Sequence, residues 1–178
     1  MISYQELSAP QAQRQLPALC EVLHACVAEG ASVGFVDAAD GKAIQAFWQS
    51  RIDTIARQET QLLVACEAER VVATVMISYS GMPNGRHRAE IGKLLVHPQA
   101  RRQGIARQLM QQAEVLAQAR GCLLLVLDTR SGDVASQLYL SLGWQIAGAI
   151  PFYAASTAGP LEATTLMYKT VGSLAAGE

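Results

Sequence analysis

Apolar residues recur at helical or strand spacing along the first half of this chain, and the pattern predicts both kinds of element. Residues 11–29 and 38–58 carry large apolar side chains three or four positions apart, as amphipathic helices do. Short runs of strand formers occupy residues 2–7, 62–68, 71–79 and 88–96. Only Glu69 and Arg70 separate the second and third of these runs, so we expect a tight hairpin there.

The second half of the chain continues the alternation. A helix ending near Arg120 is predicted by the shared apolar face of Ile105, Leu109, Ala113 and Leu116. Residues 122–127 form a fully apolar run, which is typical of a central strand. We expect a short helix from Asp133 to Gly143, followed by two strands around a connection at residues 151–160. Those two strands are predicted at residues 144–147 and 163–169.

Composition favours one folded domain. The chain has 178 residues, 51% of them apolar, which suits one well-packed domain at residues 1–171 and a flexible tail at 172–178. A formal net charge of −1 gives no electrostatic reason to expect nucleic acid or a membrane as partner. No secretory leader and no membrane-spanning apolar run is visible, so a cytoplasmic location is expected. The four cysteines and three histidines lack metal-ligand spacing, so no metal is expected.

The loop at residues 101–106 carries the clearest chemical signal, because it joins an apolar strand directly to an amphipathic helix. The start of a helix leaves four backbone N–H groups without intrahelical partners and carries partial positive charge. Small residues at Gly104 and Ala106 allow a ligand to approach the backbone closely. Three arginines lie nearby, at Arg101, Arg102 and Arg107. Together these features predict a binding site for a phosphate or pyrophosphate.

The order Arg101-x-x-Gly104-x-Ala106, after a strand that ends in Val-x-Pro, resembles the acyl-CoA loop of the GNAT N-acetyltransferase superfamily. The resemblance covers nearly the whole chain. It implies an α/β (α+β) GNAT fold, whose central mixed, mostly antiparallel sheet of about six to seven strands is flanked by four helices. It also implies acetyl-CoA as acyl donor, with the pyrophosphate held by Arg101, Arg102, Gln103, Gly104, Ile105, Ala106 and Arg107. Backbone groups that bind pantetheine and polarise the thioester carbonyl are implied at Leu94, Leu95 and Val96.

Several short blocks narrow the resemblance to the tabtoxin-resistance branch of the superfamily. These blocks lie at residues 30–35, 83–85, 88–90, 107–110, 127–129 and 131–135. Members of that branch acetylate a toxic β-lactam amino acid. The implied acceptor is therefore a small-molecule amine, such as an amino-acid-like toxin of the tabtoxin type.

Tyr139 is the predicted general acid. It lies in residues 137–144, which resemble the superfamily's Leu-Tyr-x-x-x-Gly-Phe block, whose tyrosine approaches the CoA sulfur. A phenol with a pKa of about 10 stays protonated at neutral pH and can donate its proton to a departing thiolate. The other interpretation is an amphipathic-helix tyrosine whose ring simply fills the core.

Glu90 and Asp128 are the predicted pair that binds and deprotonates the acceptor amine. Both match the tabtoxin-resistance branch, and strand ends border the ligand crevice in open α/β sheets. Structural alternatives stay open for each. Glu90 could form an ion pair with Arg86 or Arg88, and Asp128 could cap the turn that follows it.

The chain departs from the superfamily at Gly132, where many members have an asparagine that contacts the cofactor. Any equivalent hydrogen bond must come from Ser131, Asp133 or Ser136. Substrate contacts are expected from the segments that vary among acetyltransferases, here at Ser32, Phe35, Phe152 and Tyr153.

Two other functions stay open. One is acetylation of a protein N-terminus or lysine side chain, which requires an open groove for a peptide. The other is a non-catalytic acyl-CoA sensor, in which removing the Tyr139 hydroxyl would change nothing. The resemblance also allows a homodimer, although the sequence defines no interface.

Overall fold

A computed structural model describes residues 1–177 as a central sheet with helices on both of its faces. In chain order the elements are β1 (Ile2–Leu7), α1 (Ala9–Arg14), α2 (Leu16–Ala28), α3 (Gly41–Ala56), β2 (Thr60–Glu67), β3 (Arg70–Tyr79), β4 (Arg88–Val96), α4 (Ile105–Ala119), β5 (Leu124–Arg130), α5 (Ala135–Ser141), β6 (Gln145–Ala155) and β7 (Leu161–Thr170). Short 3-10 turns occupy Pro83–Gly85, Pro98–Ala100 and Gly172–Gly177. The last turn falls in the segment expected to be a tail, whose final residue, Glu178, lies outside the described residues.

The seven strands form one sheet in the order β1-β2-β3-β4-β5-β7-β6. Five of the six neighbouring pairs are antiparallel, and β4–β5 is the parallel one. The α4 helix makes the crossover between these two parallel strands, as such a pair requires. The predicted fold class is therefore confirmed, with five α-helices in residues 1–177 where four were expected.

The extra helix arises because the first predicted helix is broken at Gln15. Ser8 and Gln11 form a reciprocal capping box at the start of α1, earlier than the predicted start. Pro17 has no backbone N–H and its ring would clash with a helical carbonyl four residues earlier. Both problems vanish if a new helix begins there, and Pro17 accordingly lies in the first turn of α2.

The β2–β3 hairpin turns one residue earlier than predicted. Its two central residues are Ala68 and Glu69, both with positive φ (49° and 66°), which matches the twist of a two-residue hairpin. The Gln15 side chain donates a hydrogen bond of 2.8 Å to the Glu69 carbonyl and so ties this turn to the break between α1 and α2.

The last hairpin is longer than predicted. The first half of the segment expected to be a connection belongs to β6, which runs through Pro151 to Ala155. A proline is tolerated there because β6 is the edge strand of the sheet, where one side of the backbone needs no partner. The register of β6 shifts between Ile150 and Ala154, and Phe152 in that bulge has a φ of 56°.

The sheet separates two apolar cores. On one face α4 and α5 pack over the central strands, and the buried side chains include Leu109 and Leu125. On the other face α1, α2 and α3 cover β1 to β4, with Leu19 and Trp48 fully buried. The sheet is therefore packed between two layers of helices, which fix the positions of the side chains that its strands carry.

No helix in residues 1–177 is both long enough and apolar enough to cross a membrane. The four cysteines are free thiols, three of them buried and Cys20 partly buried.

Candidate active site

A cleft opens where the parallel strands β4 and β5 separate. The two strands pair only from Arg88 and Leu124 to Glu90 and Val126. Beyond that point β4 remains paired with β3, while its edge towards β5 has no strand partner. The resulting cleft has a volume of about 980 Å³. Unpaired backbone N–H and C=O groups on such an edge are available to a ligand.

The backbone of β4 changes course inside the cleft. Between the pairs Met76–Gly92 and Thr74–Leu95, β4 has two residues where β3 has one, which is a β-bulge. Lys93 in this bulge has a φ of 49°, and its carbonyl accepts a 2.8 Å hydrogen bond from the hydroxyl of the fully buried Thr74. The three residues predicted to serve pantetheine all line the cleft, Leu94 in the bulge and Leu95 and Val96 just after it.

The N-terminus of α4 forms one end of the cleft. Gly104 is the N-cap in a left-handed conformation (φ 73°), and no side chain caps the helix and no acidic residue lies in its first turn. Among the described residues, nothing accepts a hydrogen bond from the N–H groups of Ile105, Ala106 or Arg107. Because these donors lie at the positive end of a 15-residue helix, they can hold an anionic group.

The three arginines in and beside this loop have different partners. Arg101 forms a 2.5 Å ion pair with Glu29 at the end of α2. Arg107 donates a 2.8 Å hydrogen bond to the Ser141 hydroxyl on α5, and Arg102 makes no ion pair within residues 1–177. All three line the cleft, as do Gly104, Ile105 and Ala106. Gln103 does not, because its side chain donates to the Ala100 carbonyl.

Tyr139 lies on α5 with its ring in the core below the cleft. The residue is 7% exposed, and its ring centroid is 6.2 Å from that of Trp144. Its hydroxyl makes no hydrogen bond with any residue that the structure describes. Burial raises the pKa of Tyr139 to about 12, and the negative charges of Asp133 and Asp128 add to the shift. This phenol therefore keeps its proton over the physiological range and can act as a donor.

Glu90 and Asp128 lie on the same face of the sheet, one on each diverging strand. Glu90 is exposed to the cleft and forms no ion pair with Arg86 or Arg88 in the described structure. Asp128 accepts a 3.0 Å hydrogen bond from the hydroxyl of Thr164, a buried residue of β7. The sequence predicted that Asp128 would follow the end of the strand, but β5 continues to Arg130, so Asp128 lies within it. The hydrogen bond from β7 holds its carboxylate in place.

The remaining predicted residues divide into two groups. Those at the cleft surface are Ser32, Asp133 and Tyr153. Ser131, Ser136, Phe35 and Phe152 do not line the cleft. The two serines bond within the protein, Ser131 to the Thr165 hydroxyl and Ser136 to the Asp133 carbonyl. Phe35 packs edge-on against Phe47, and the Phe152 side chain is exposed on the edge strand.

Four charged residues of the cleft were not predicted from the sequence, the cations Lys93 and Arg130 and the carboxylates Glu29 and Glu162. Arg130, at the end of β5, donates a 3.0 Å hydrogen bond to the Gly30 carbonyl and lies 3.7 Å from carboxylate oxygens of both Asp133 and Glu162. It thereby fixes the loop after α2 against the sheet. A lone lysine inside an apolar strand was the available signal for Lys93.

Comparison with known proteins agrees with this architecture. The sequence matches the family model described as "Acetyltransferase (GNAT) family" over residues 18–144. The ribosomal-protein-alanine N-acetyltransferase of Brucella melitensis has a similar structure, with a TM-score of 0.78 at 21% identity over 95% of this chain and 99% of that one. The yncA protein of Salmonella typhimurium, assigned as an acetyltransferase and solved with its cofactor acetyl-CoA, gives 0.78 at 19% identity over 97% and 95%. A protein assigned as a phosphinothricin N-acetyltransferase gives 0.79 at 15% identity over 97% and 99%. At these identities the structural likenesses establish the fold.

Proposed function

Because the chain belongs to the acetyltransferase (GNAT) family, we propose that it transfers the acetyl group of acetyl-CoA to the amine of a small molecule. One observation carries the proposal. The separation of β4 and β5 creates a single cleft that is lined by the uncapped start of α4, by Tyr139, and by the carboxylates of Glu90 and Asp128. An anion site, a proton donor and two proton acceptors therefore border the same space.

The chain offers suitable groups for each part of the donor. The free N–H groups at the start of α4 and the guanidinium groups of Arg102 and Arg107 suit the pyrophosphate, and Arg101 can join them if it leaves Glu29. The backbone of residues 94–96 is proposed to bind the pantetheine amides. Among the candidates for the missing asparagine, Asp133 borders the cleft, whereas both serines bond elsewhere.

Acetyl-CoA supplies a thioester carbonyl carbon, to which the amine nitrogen bonds as the carbon–sulfur bond breaks. Together Glu90 and Asp128 favour a cationic acceptor electrostatically, and one of them takes the first proton that its ammonium loses, directly or through water. The second proton, lost from nitrogen as the amide forms, balances the proton that Tyr139 gives to the sulfur. Tyr139 donates its phenolic proton towards the departing sulfur. The Thr164 hydroxyl holds one oxygen of Asp128, which leaves the other free for the acceptor.

For the acceptor we propose a small amino-acid-like amine, of which a tabtoxin-type β-lactam is one example. The resemblance of the short sequence blocks supports this choice. So does the loop after α2, which Arg130 holds over the cleft and which contributes Ser32. A peptide acceptor would need a longer open groove.

The test is a thiol-release assay with acetyl-CoA and a panel of amino-acid analogues, polyamines, aminoglycosides and peptides. We expect turnover with small amino-acid-like amines, and Arg102→Glu should weaken acetyl-CoA binding at least tenfold by calorimetry. Arg14→Glu, on α1 and away from the cleft, is the matched control and should bind normally. Turnover restricted to peptides would favour the protein-acetylating alternative. Tight cofactor binding without any turnover would favour the sensor.

A further inference from the structure

Lys93 is the cationic residue of β4 in the part of the cleft where Glu90 and Asp128 are proposed to bind the acceptor. The β-bulge turns this residue out of the strand's regular alternation and holds it with a positive φ, which is unfavourable for a residue with a side chain. The buried Thr74 hydroxyl donates a hydrogen bond to the Lys93 carbonyl and holds the bulge in place. The backbone therefore fixes the direction from which the ammonium enters the cleft.

The Lys93 ammonium lies close to an aromatic ring and to a loop backbone. Its nitrogen lies 5.0 Å from the centroid of the Phe47 ring on α3, a cation–π contact. On another side it meets the loop after α2, where a Cβ added at Gly34 would lie 3.8 Å from the nitrogen. Burial lowers the pKa of Lys93, and the nearby positive charge of Arg51 lowers it further, whereas Asp128 and Glu90 act in the opposite direction.

Among the residues that the structure describes, this ammonium has no anionic partner. Within residues 1–177 it makes no ion pair and no hydrogen bond, although Asp128 and Glu90 are close enough to influence it. Lys169 shows the usual arrangement for a partly buried lysine, with Glu114 at 2.8 Å and the Leu142 carbonyl at 2.6 Å. A desolvated cation is costly unless it is paired. At Lys93 the position of the pairing group is open to a ligand.

We propose that Lys93 binds a carboxylate of the acceptor, so that the enzyme prefers amines that also carry a carboxylate, as α-amino acids do. The inference rests on the proposed acetyl transfer in this cleft. Lys93 then takes the negative end of a zwitterion while Glu90 and Asp128 receive its ammonium end. The same arrangement disfavours simple diamines, which would bring a second positive charge towards Lys93.

Matched acceptors that differ by one carboxylate test the proposal. L-ornithine and putrescine form one such pair, and L-lysine and cadaverine form another. With acetyl-CoA, we expect the wild-type kcat/KM to be at least tenfold higher for the amino acid of each pair. Lys93→Gln should lower kcat/KM for the amino acid about 10- to 100-fold, mainly through KM. It should leave kcat/KM for the diamine unchanged or raise it, because the variant no longer repels the second positive charge.

Two further variants control this experiment. Lys93→Arg keeps the charge and should restore much of the preference, which guards against a simple folding defect. Arg51→Gln removes another cation beside the Phe47 ring that does not line the cleft, and it should leave the preference intact.

The proposal is overturned if the wild type prefers the diamines, or if Lys93→Gln slows both members of a pair equally, as a general base or a purely structural residue would. A wild type that acetylates no member of either pair contradicts the proposed small-amine function. Calorimetry of the CoA-bound protein with L-ornithine and putrescine then decides about Lys93. Tighter binding of L-ornithine, lost in Lys93→Gln, supports it, and equal or absent binding refutes it.

Discussion

The role assigned to the Tyr139 hydroxyl can be isolated by Tyr139→Phe, which removes one oxygen from a buried ring. The ring is 7% exposed and packs beside Trp144, and a phenylalanine fills nearly the same space. The hydroxyl has no hydrogen-bond partner among the described residues, so none is left unsatisfied. We therefore expect the free energy of unfolding to change by less than about 1 kcal/mol.

The expected effect on catalysis is much larger. A positioned general acid contributes about 10²- to 10⁴-fold in rate, which corresponds to about 3–5 kcal/mol of transition-state stabilisation. Because burial raises the pKa of Tyr139 to about 12, the acid stays protonated up to pH 10, and its titration should not lower the rate below that pH. The loss in Tyr139→Phe should therefore appear in kcat at every pH from 6 to 10. Proton donation to sulfur occurs only in the transition state, so binding of acetyl-CoA should be unchanged.

The assay is steady-state thiol release at saturating acetyl-CoA, with calorimetry for cofactor binding and urea unfolding for stability. Tyr168→Phe provides the matched control, because the Tyr168 hydroxyl bonds Gln145 on the last hairpin and the residue does not line the cleft. It should keep full kcat. A Tyr139→Phe variant that retains kcat within threefold of the wild type would refute the general-acid assignment and leave Tyr139 as a core residue.

Three further predictions concern positioning, pH and packing. Thr164→Val removes the hydroxyl that donates a hydrogen bond to Asp128. We expect kcat/KM to fall about tenfold and the free energy of unfolding to fall by about 1–2 kcal/mol. Unchanged kinetics would mean that this hydrogen bond does not orient the carboxylate. Burial raises the pKa of both Tyr79 and Tyr139 to about 12, so above pH 10 their phenols ionise first in the unfolded chain. The free energy of unfolding should therefore fall between pH 10 and 12, and urea titrations that show no decline there would contradict it. Leu109→Ala, at a fully buried position of α4, should lower the free energy of unfolding in urea by about 2–5 kcal/mol. A loss under about 1 kcal/mol would contradict this and would show that the core collapses into the cavity that the substitution leaves.

The sequence predicts well those features that depend only on residues close to one another along the chain. The loop before α4 is an example, because Gly104 adopts the left-handed conformation that few other residues favour and the apolar stripe of α4 begins at once after it. The break at Pro17 and the capping box at Ser8 are equally local, although the apolar periodicity that runs through residues 11–29 masks both signals. Local chemistry thus accounts for most element boundaries and for the candidate anion site.

The separation of β4 and β5 depends on distant parts of the chain and leaves no local pattern. Both strands are apolar runs that read as continuous sheet members. Their pairing ends after Glu90 and Val126, while each strand stays paired along its other edge, β4 with β3 and β5 with β7. Whether two strands stay together is decided by the twist of the whole sheet, which no single stretch of sequence contains.

Lys93 shows how such a non-local feature conceals a functional residue. A regular strand alternates its faces, so Lys93 should share the face of Ile91, inside the core under α4. An unpaired lysine is unfavourable there, and the bulge removes the conflict by inserting one residue. After it Leu94 and Val96 pack on the α4 face, Leu95 enters the opposite core, and Lys93 reaches the Phe47 ring. A charged residue that breaks the alternation of an otherwise apolar strand is therefore evidence for a β-bulge. Because β-bulges are over-represented beside active sites, such a residue is also evidence for a ligand-binding site.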